Sequence, residues 1–209
     1  MPVRGPRSTA ASRHVPVRAH SVTTGAEVLL ESGLEHDLLR ELDRLECVNW
    51  IVAQPLRLLF ERGAGMHRGH AVRRHVPDLL TVTSDGSVTV WDARPPERQD
   101  ERFLESVQRT RTACEERGWR HRVFAGHSAV KRANLMWLHG FRNPEPWHLV
   151  IRMEMARAAG AQFFQLRQLP DVADRQLIVA TLWHLVWCGD VQVDLERPLT
   201  TETAFQFKV

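Results

Sequence analysis

Two apolar, β-branched runs constrain this chain most: residues 79–83 (Leu-Leu-Thr-Val-Thr) and 88–93 (Val-Thr-Val-Trp-Asp-Ala), with Ser84-Asp85-Gly86 near the middle. Runs of this kind around Asp-Gly read as an antiparallel hairpin. A three-residue loop, with a type I turn and Gly86 in the left-handed region, places Thr83 opposite Ser87. Counting back, Val82 faces Val88, Leu80 faces Val90, and Asp78 faces Asp92. A two-residue turn would slip the register by one and send the two aspartates to opposite faces. The turn chemistry therefore decides whether two carboxylates meet at the open end of the ribbon.

Directly opposed strand residues have Cβ atoms roughly 4.5–5.5 Å apart, where like charges repel. A divalent cation removes that penalty, and Mg²⁺ is commonly held by one or two carboxylates plus water and phosphate oxygens. Arg94 points the same way as Asp92 by strand alternation and adds a positive charge there. A third acid comes from residues 27–45, which read as a helix with Leu34, Leu38, Leu42 and Leu45 at helical spacing. Glu35 has Leu38, Leu39 and Leu42 at i+3, i+4 and i+7, so it lies on or beside the apolar stripe, where an unpaired charge is costly. Pairing with an arginine at the stripe's edge is the alternative reading. Glu31, Asp37 and Glu41 fit a solvent face.

The rest of the pattern describes an α/β chain. Residues 48–53, 56–60 and 119–124 read as strands, 62–74 as a loop, and 100–117 and 130–139 as helices, which together suit a mixed sheet flanked by helices. Residues 1–25, with Arg4, Arg7, Arg13 and Arg18 and no acid, read as a disordered basic arm. DNA phosphates are one target for it; an unselected terminus, or a transit peptide spoiled by prolines, are the others. Residues 26–143 form the main domain, and Asn143-Pro144-Glu145-Pro146 reads as a linker. Residues 147–209 hold helical segments near 149–159 and 174–188 and a short alternating stretch at 191–195. These suit a winged-helix-like module or a plain extension of the first domain. With six basic residues against seven acids, this region favours a protein partner over DNA.

The net charge is +3 with 28 basic residues, of which only Lys131 and Lys208 are lysine. Nucleic acid is permitted as a partner by this balance and not demanded by it. No apolar run reaches the ~20 residues of a membrane span, and the first residues lack the apolar core of a signal peptide. Cys47, Cys114 and Cys188 cannot all pair, which fits a reducing cytoplasm.

The stretch His75-Val76-Pro77-Asp78-Leu79-Leu80, then Asp85-Gly86, then Val90-Trp91-Asp92-Ala93-Arg94-Pro95 resembles the nuclease core of the TnsA family, the endonuclease subunits of heteromeric transposases. Leu34-Glu35, Gln54-Pro55 and the run from Cys114 to Trp119 extend the likeness over roughly residues 27–143. More loosely, the run from Leu182 to Trp187, with Gly189 and Asp194-Leu195, resembles that family's winged-helix-like tail. The resemblance implies a restriction-endonuclease-like fold of the PD-(D/E)XK kind, with Glu35, Asp78 and Asp92 as catalytic metal ligands. It implies Mg²⁺, with Mn²⁺ as a substitute, and cleavage of the 5′ strand of double-stranded DNA at transposon ends. Its partners would be a recombinase subunit and an ATPase regulator, TnsB- and TnsC-like, and its location the nucleoid-associated bacterial cytoplasm. The family motif ends in lysine where this chain has Arg94. Arginine supplies charge and a bidentate fork but cannot be deprotonated. Arg94 therefore either serves as the fourth catalytic residue or marks a chain that kept the fold as a scaffold bridging transposase subunits and DNA.

His67, Arg68, Arg73, Arg74 and His75 form a basic stretch expected near the DNA backbone. The histidine spacing there matches no closed zinc motif, and His75 is the member nearest the carboxylates. Trp183 and Trp187, at i and i+4, read as core.

Overall fold

The structure, a computed structural model, describes residues 16–60, 73–159, 163–168 and 174–208. It divides into two compact units, one of Met1–Asp43 with Cys47–Gly126 and one of Arg44–Glu46 with His127–Val209. The division falls ahead of the Asn143–Pro146 stretch, so the helix before that stretch belongs to the second unit.

The first unit is mixed α/β. Strands β1 (Val17–Ser21) and β2 (Ala26–Leu30) pair antiparallel and lead into α1 (Gly33–Asp43). Next come β3 (Val48–Ala53), β4 (Leu58–Phe60), β5 (Arg73–His75), β6 (Leu79–Thr83) and β7 (Val88–Ala93). Helix α2 (Glu101–Glu115) then crosses to β8 (Arg120–Phe124). The main sheet has the order β3-β6-β7-β8, antiparallel except for the β7–β8 pair, which the α2 crossover makes parallel. Leu38, Leu39 and Leu42 of α1 pack with Ile51, Ala53 and Leu79 of the sheet and with Val28 and Leu30 of β2.

The hairpin has the three-residue loop. Thr83 N donates to Ser87 O at 3.0 Å and Gly86 N to Thr83 O at 2.8 Å, with Gly86 at φ +79°. Asp85 accepts from Thr83 Oγ1, Ser87 N and Ser87 Oγ, which hold its carboxyl down at about 2. Val82 pairs with Val88 and Leu80 with Val90, the register expected for opposed aspartates.

Four expectations are corrected. The helix of 27–45 is shorter at both ends, because Val28 and Leu30 bury at alternating positions as strand residues and Leu45 is exposed. Ser32 starts the helix instead: its Oγ accepts from Glu35 N and donates to Glu35 Oε1, and Glu31 N donates to Glu35 Oε2. This is close to a capping box. The expectation of disorder over 1–25 fails for its C-terminal part, since β1 occupies Val17–Ser21 and Arg18 lies 3.6 Å from Glu27, while residues 1–15 lie outside the described residues. The turn after β1 is tied to buried Asp43, whose carboxylate accepts from Ser21 Oγ, Val22 N and Thr23 N. Asp37, expected on a solvent face, is buried and bonded to Arg40 at 2.7 Å. The expected loop of 62–74 also gives way at its end to β5, which pairs with β4.

The second unit holds α3 (Ala129–Leu138), α4 (His148–Ala159) and α5 (Arg175–Cys188), with a two-stranded ribbon of β9 (Val191–Gln192) and β10 (Gln206–Phe207). Asp174 caps the start of α5, and Gly189, at φ +79°, ends it. Helix α5 is apolar nearly all round because it is the unit's centre. Trp183 and Trp187 are buried there with Leu182, Leu185, Met155 and Phe205. Arg44 donates to the carbonyls of Val186 and Trp187 at its C-terminal end. No helix among the described residues is long and apolar enough to cross a membrane.

Candidate active site

The site lies at the open end of the hairpin. Gln54, Asp78 and Asp92 terminate or extend three neighbouring strands there. Gln54 takes φ +47°, rare for a residue with a side chain, and its N–H donates to Asp78 O at 2.8 Å. Asp78 N donates to Trp91 O at 2.9 Å, and Ala93 N donates to Asp78 Oδ2 at 2.7 Å. These bonds hold Asp78 beside Asp92, and Glu35 reaches the same place from the first turn of α1. All three line one cavity of about 530 Å³.

The cavity is acidic. Glu31, Glu35, Asp78, Asp92 and Glu97 line it against Arg94 and Arg98. Burial, followed by the negative charges of Glu35 and Asp92, pushes the Asp78 carboxyl well above its ordinary value. Asp92 goes the other way. Burial penalises its charge, but hydrogen bonds from His121 and His75 outweigh that and hold it low. His75 Nε2 lies 3.0 Å and His121 Nε2 2.9 Å from the same oxygen, Asp92 Oδ2. Neighbouring carboxylates with oppositely shifted values in one cavity mark a functional-site candidate.

The residues fit a hard divalent cation at Asp78 and Asp92. Among the described residues, neither Asp78 Oδ1 nor Asp92 Oδ1 receives a hydrogen bond. A cation there would offset both the burial and the neighbouring negative charge that raise Asp78. Glu35 fits less directly, since both its oxygens already accept hydrogen bonds at the start of α1. No closed cage of three or more His, Cys, Asp or Glu ligands exists among the described residues. A cation would then rely on water and phosphate oxygens for its other ligands, as Mg²⁺ commonly does.

Arg94 lines the cavity with its guanidinium anchored through Nε. Its Nε donates to Arg98 O at 2.9 Å, and the group stacks over the Phe103 ring with 5.2 Å to the centroid. Of the basic stretch, His75 joins the site, Arg74 is exposed on β5, and Arg73 contributes backbone to that strand. His67 and Arg68 lie outside the described residues.

Sequence reasoning missed two features. His121 sits in Arg120-His121-Arg122, where strand alternation with two outward arginines marks the histidine as inward-facing. Ser32-x-x-Glu35 is a helix-start signature that gives Glu35 a capping role. No protein-family model matches the chain, and no curated protein matches it.

Proposed function

We propose that this chain is the metal-dependent DNA endonuclease subunit of a heteromeric transposase, with a restriction-endonuclease-like core and a winged-helix-like, partner-binding C-terminal region. One observation carries the reading: Asp78 and Asp92 face one cavity with Glu35 beside them, and Asp78 is strained by its neighbours' charge. A bound Mg²⁺ would supply Lewis-acid activation of a phosphodiester. Asp78 and Asp92 would hold the ion, and Glu35 would add negative charge. Arg94 and Arg98 would offer cationic contacts to the phosphate on the cavity's other wall. The basic residues of β5 would meet the flanking backbone. Leu149, Val150 and Met153, exposed on α4, support a protein partner for the second unit.

The test is cleavage of end-bearing duplex DNA with Mg²⁺ or Mn²⁺ in the presence of the partner subunits. Cleavage by the wild type and its loss in Asp78→Asn support the reading. A wild type that neither cleaves nor binds metal excludes it. The second reading, a non-catalytic scaffold, is favoured by the anchoring of Arg94 on Arg98 and Phe103. Calorimetric titration with Mn²⁺ separates the two, because a scaffold need not bind metal.

A further inference from the structure

The two histidines on Asp92 Oδ2 stand in different surroundings. The His75 side chain is 17% exposed, whereas that of His121 is wholly buried. The Nδ1 of His121 is also buried and has no hydrogen-bond partner among the described residues. A proton on that nitrogen would be a buried donor without an acceptor, which costs about 1–3 kcal/mol. A proton on Nε2, by contrast, meets a carboxylate oxygen at 2.9 Å. The surroundings therefore favour hydrogen on Nε2, aimed at Asp92 Oδ2.

We propose that His121 is a positioning residue: as a fixed Nε2–H donor it pins Asp92 Oδ2 and leaves Oδ1 as the oxygen that meets a cation. This rests on the cation reading of the Asp78–Asp92 cavity. The fold explains the placement. His121 is the register partner of Val90 in the parallel β7–β8 pair, so it shares the sheet face of Val90 and of Asp92 two residues on. Asp92 is thus gripped from an adjacent strand by His121 and from β5 by His75. The carboxylate cannot rotate without giving up two charge-assisted bonds. Outer partners of this kind orient metal-ligating groups, and their loss typically costs 10–100-fold in metal affinity.

The experiment measures Mn²⁺ affinity by calorimetry at pH 7.5 for the wild type, His121→Phe and His121→Gln, with thermal melts of the metal-free proteins as the fold control. Phenylalanine fills the space without a donor, whereas glutamine restores an N–H near the Nε2 position. The expected result is a 10–100-fold weaker Kd for His121→Phe and at least partial recovery for His121→Gln. In the wild type, ¹⁵N-detected imidazole spectra should report His121 protonated on Nε2 alone. Equal Mn²⁺ affinity in wild type and His121→Phe, or a proton on Nδ1, overturns the inference and leaves the cation reading standing. A folded wild type that binds no Mn²⁺ removes the cation reading and the inference with it.

Discussion

Asp92→Ala and Asp78→Ala should have opposite effects on the metal-free protein. Asp92 accepts from two histidines. Its removal leaves the wholly buried His121 Nε2–H without an acceptor, a loss of about 1–3 kcal/mol, and deletes a charge-assisted bond to His75 of about 1.5 kcal/mol or more. Relief of the repulsion with Asp78 and of the buried charge offsets part of this. The net loss should be about 3 kcal/mol, or roughly 10 °C in Tm for a unit of this size. Among the described residues the Asp78 carboxylate gives up one bond, from Ala93 N, and its charge is opposed by burial, Glu35 and Asp92. Asp78→Ala should therefore keep or raise Tm. The pH dependence carries the same signature. The folded value of Asp92 lies below its unfolded value of about 3.9, so its stabilisation is present above that pH and lost as the pH falls through the folded value. The folded value of Asp78 lies above its unfolded value, so its favourable contribution is full in acid and lost as the pH rises through the folded value. The gain from Asp78→Ala should consequently open towards neutral pH. Differential scanning calorimetry from about pH 2 to pH 8 reads both, and His121→Phe added to Asp92→Ala should recover part of the loss, because it removes the orphaned donor. Equal Tm changes in the two single variants, or no recovery in the double variant, would refute the hydrogen-bond argument.

Arg94→Lys should alter cleavage by something on the order of 10²–10⁴-fold while duplex affinity stays within about twofold, since the charge survives but the bond to Arg98 O and the stacking on Phe103 do not; steady-state cleavage beside fluorescence anisotropy separates them. His148 stacks on His184 with ring centroids 4.2 Å apart, and burial followed by the His184 charge lowers its affinity for a proton. Stability of the second unit should be full above about pH 6.5 and fall as the pH drops through the lower folded value, a loss that urea titrations of His148→Phe should find reduced. Asp43→Ala strips the acceptor from Ser21 Oγ, Val22 N and Thr23 N and should lower the stability of the first unit by about 3 kcal/mol, read as a shift in urea midpoint at constant slope.

The hairpin was legible in the sequence because its information is local. Asp85-Gly86 sets the turn, the turn sets the register, and a period of two then carries Asp78 and Asp92 to one face. The stops of α2 and α5 were legible for the same reason, as Gly118 and Gly189 supply positive φ where a side chain would be strained. Strands β1, β4 and β5 were blurred or missed, because segments of three to five residues carry little periodicity and are held by partners elsewhere in the chain. The roles of the carboxylates were decided by the tertiary structure alone. On sequence Asp78 and Asp92 look equivalent. The parallel pairing of β8 brings His121 to Asp92 from 29 residues away, β5 brings His75, and among the described residues the Asp78 carboxylate receives only Ala93 N and its neighbours' charge. Hydrogen bonding and desolvation in a closed site depend on which groups meet in space, and one-dimensional spacing encodes that only for contacts made across a turn.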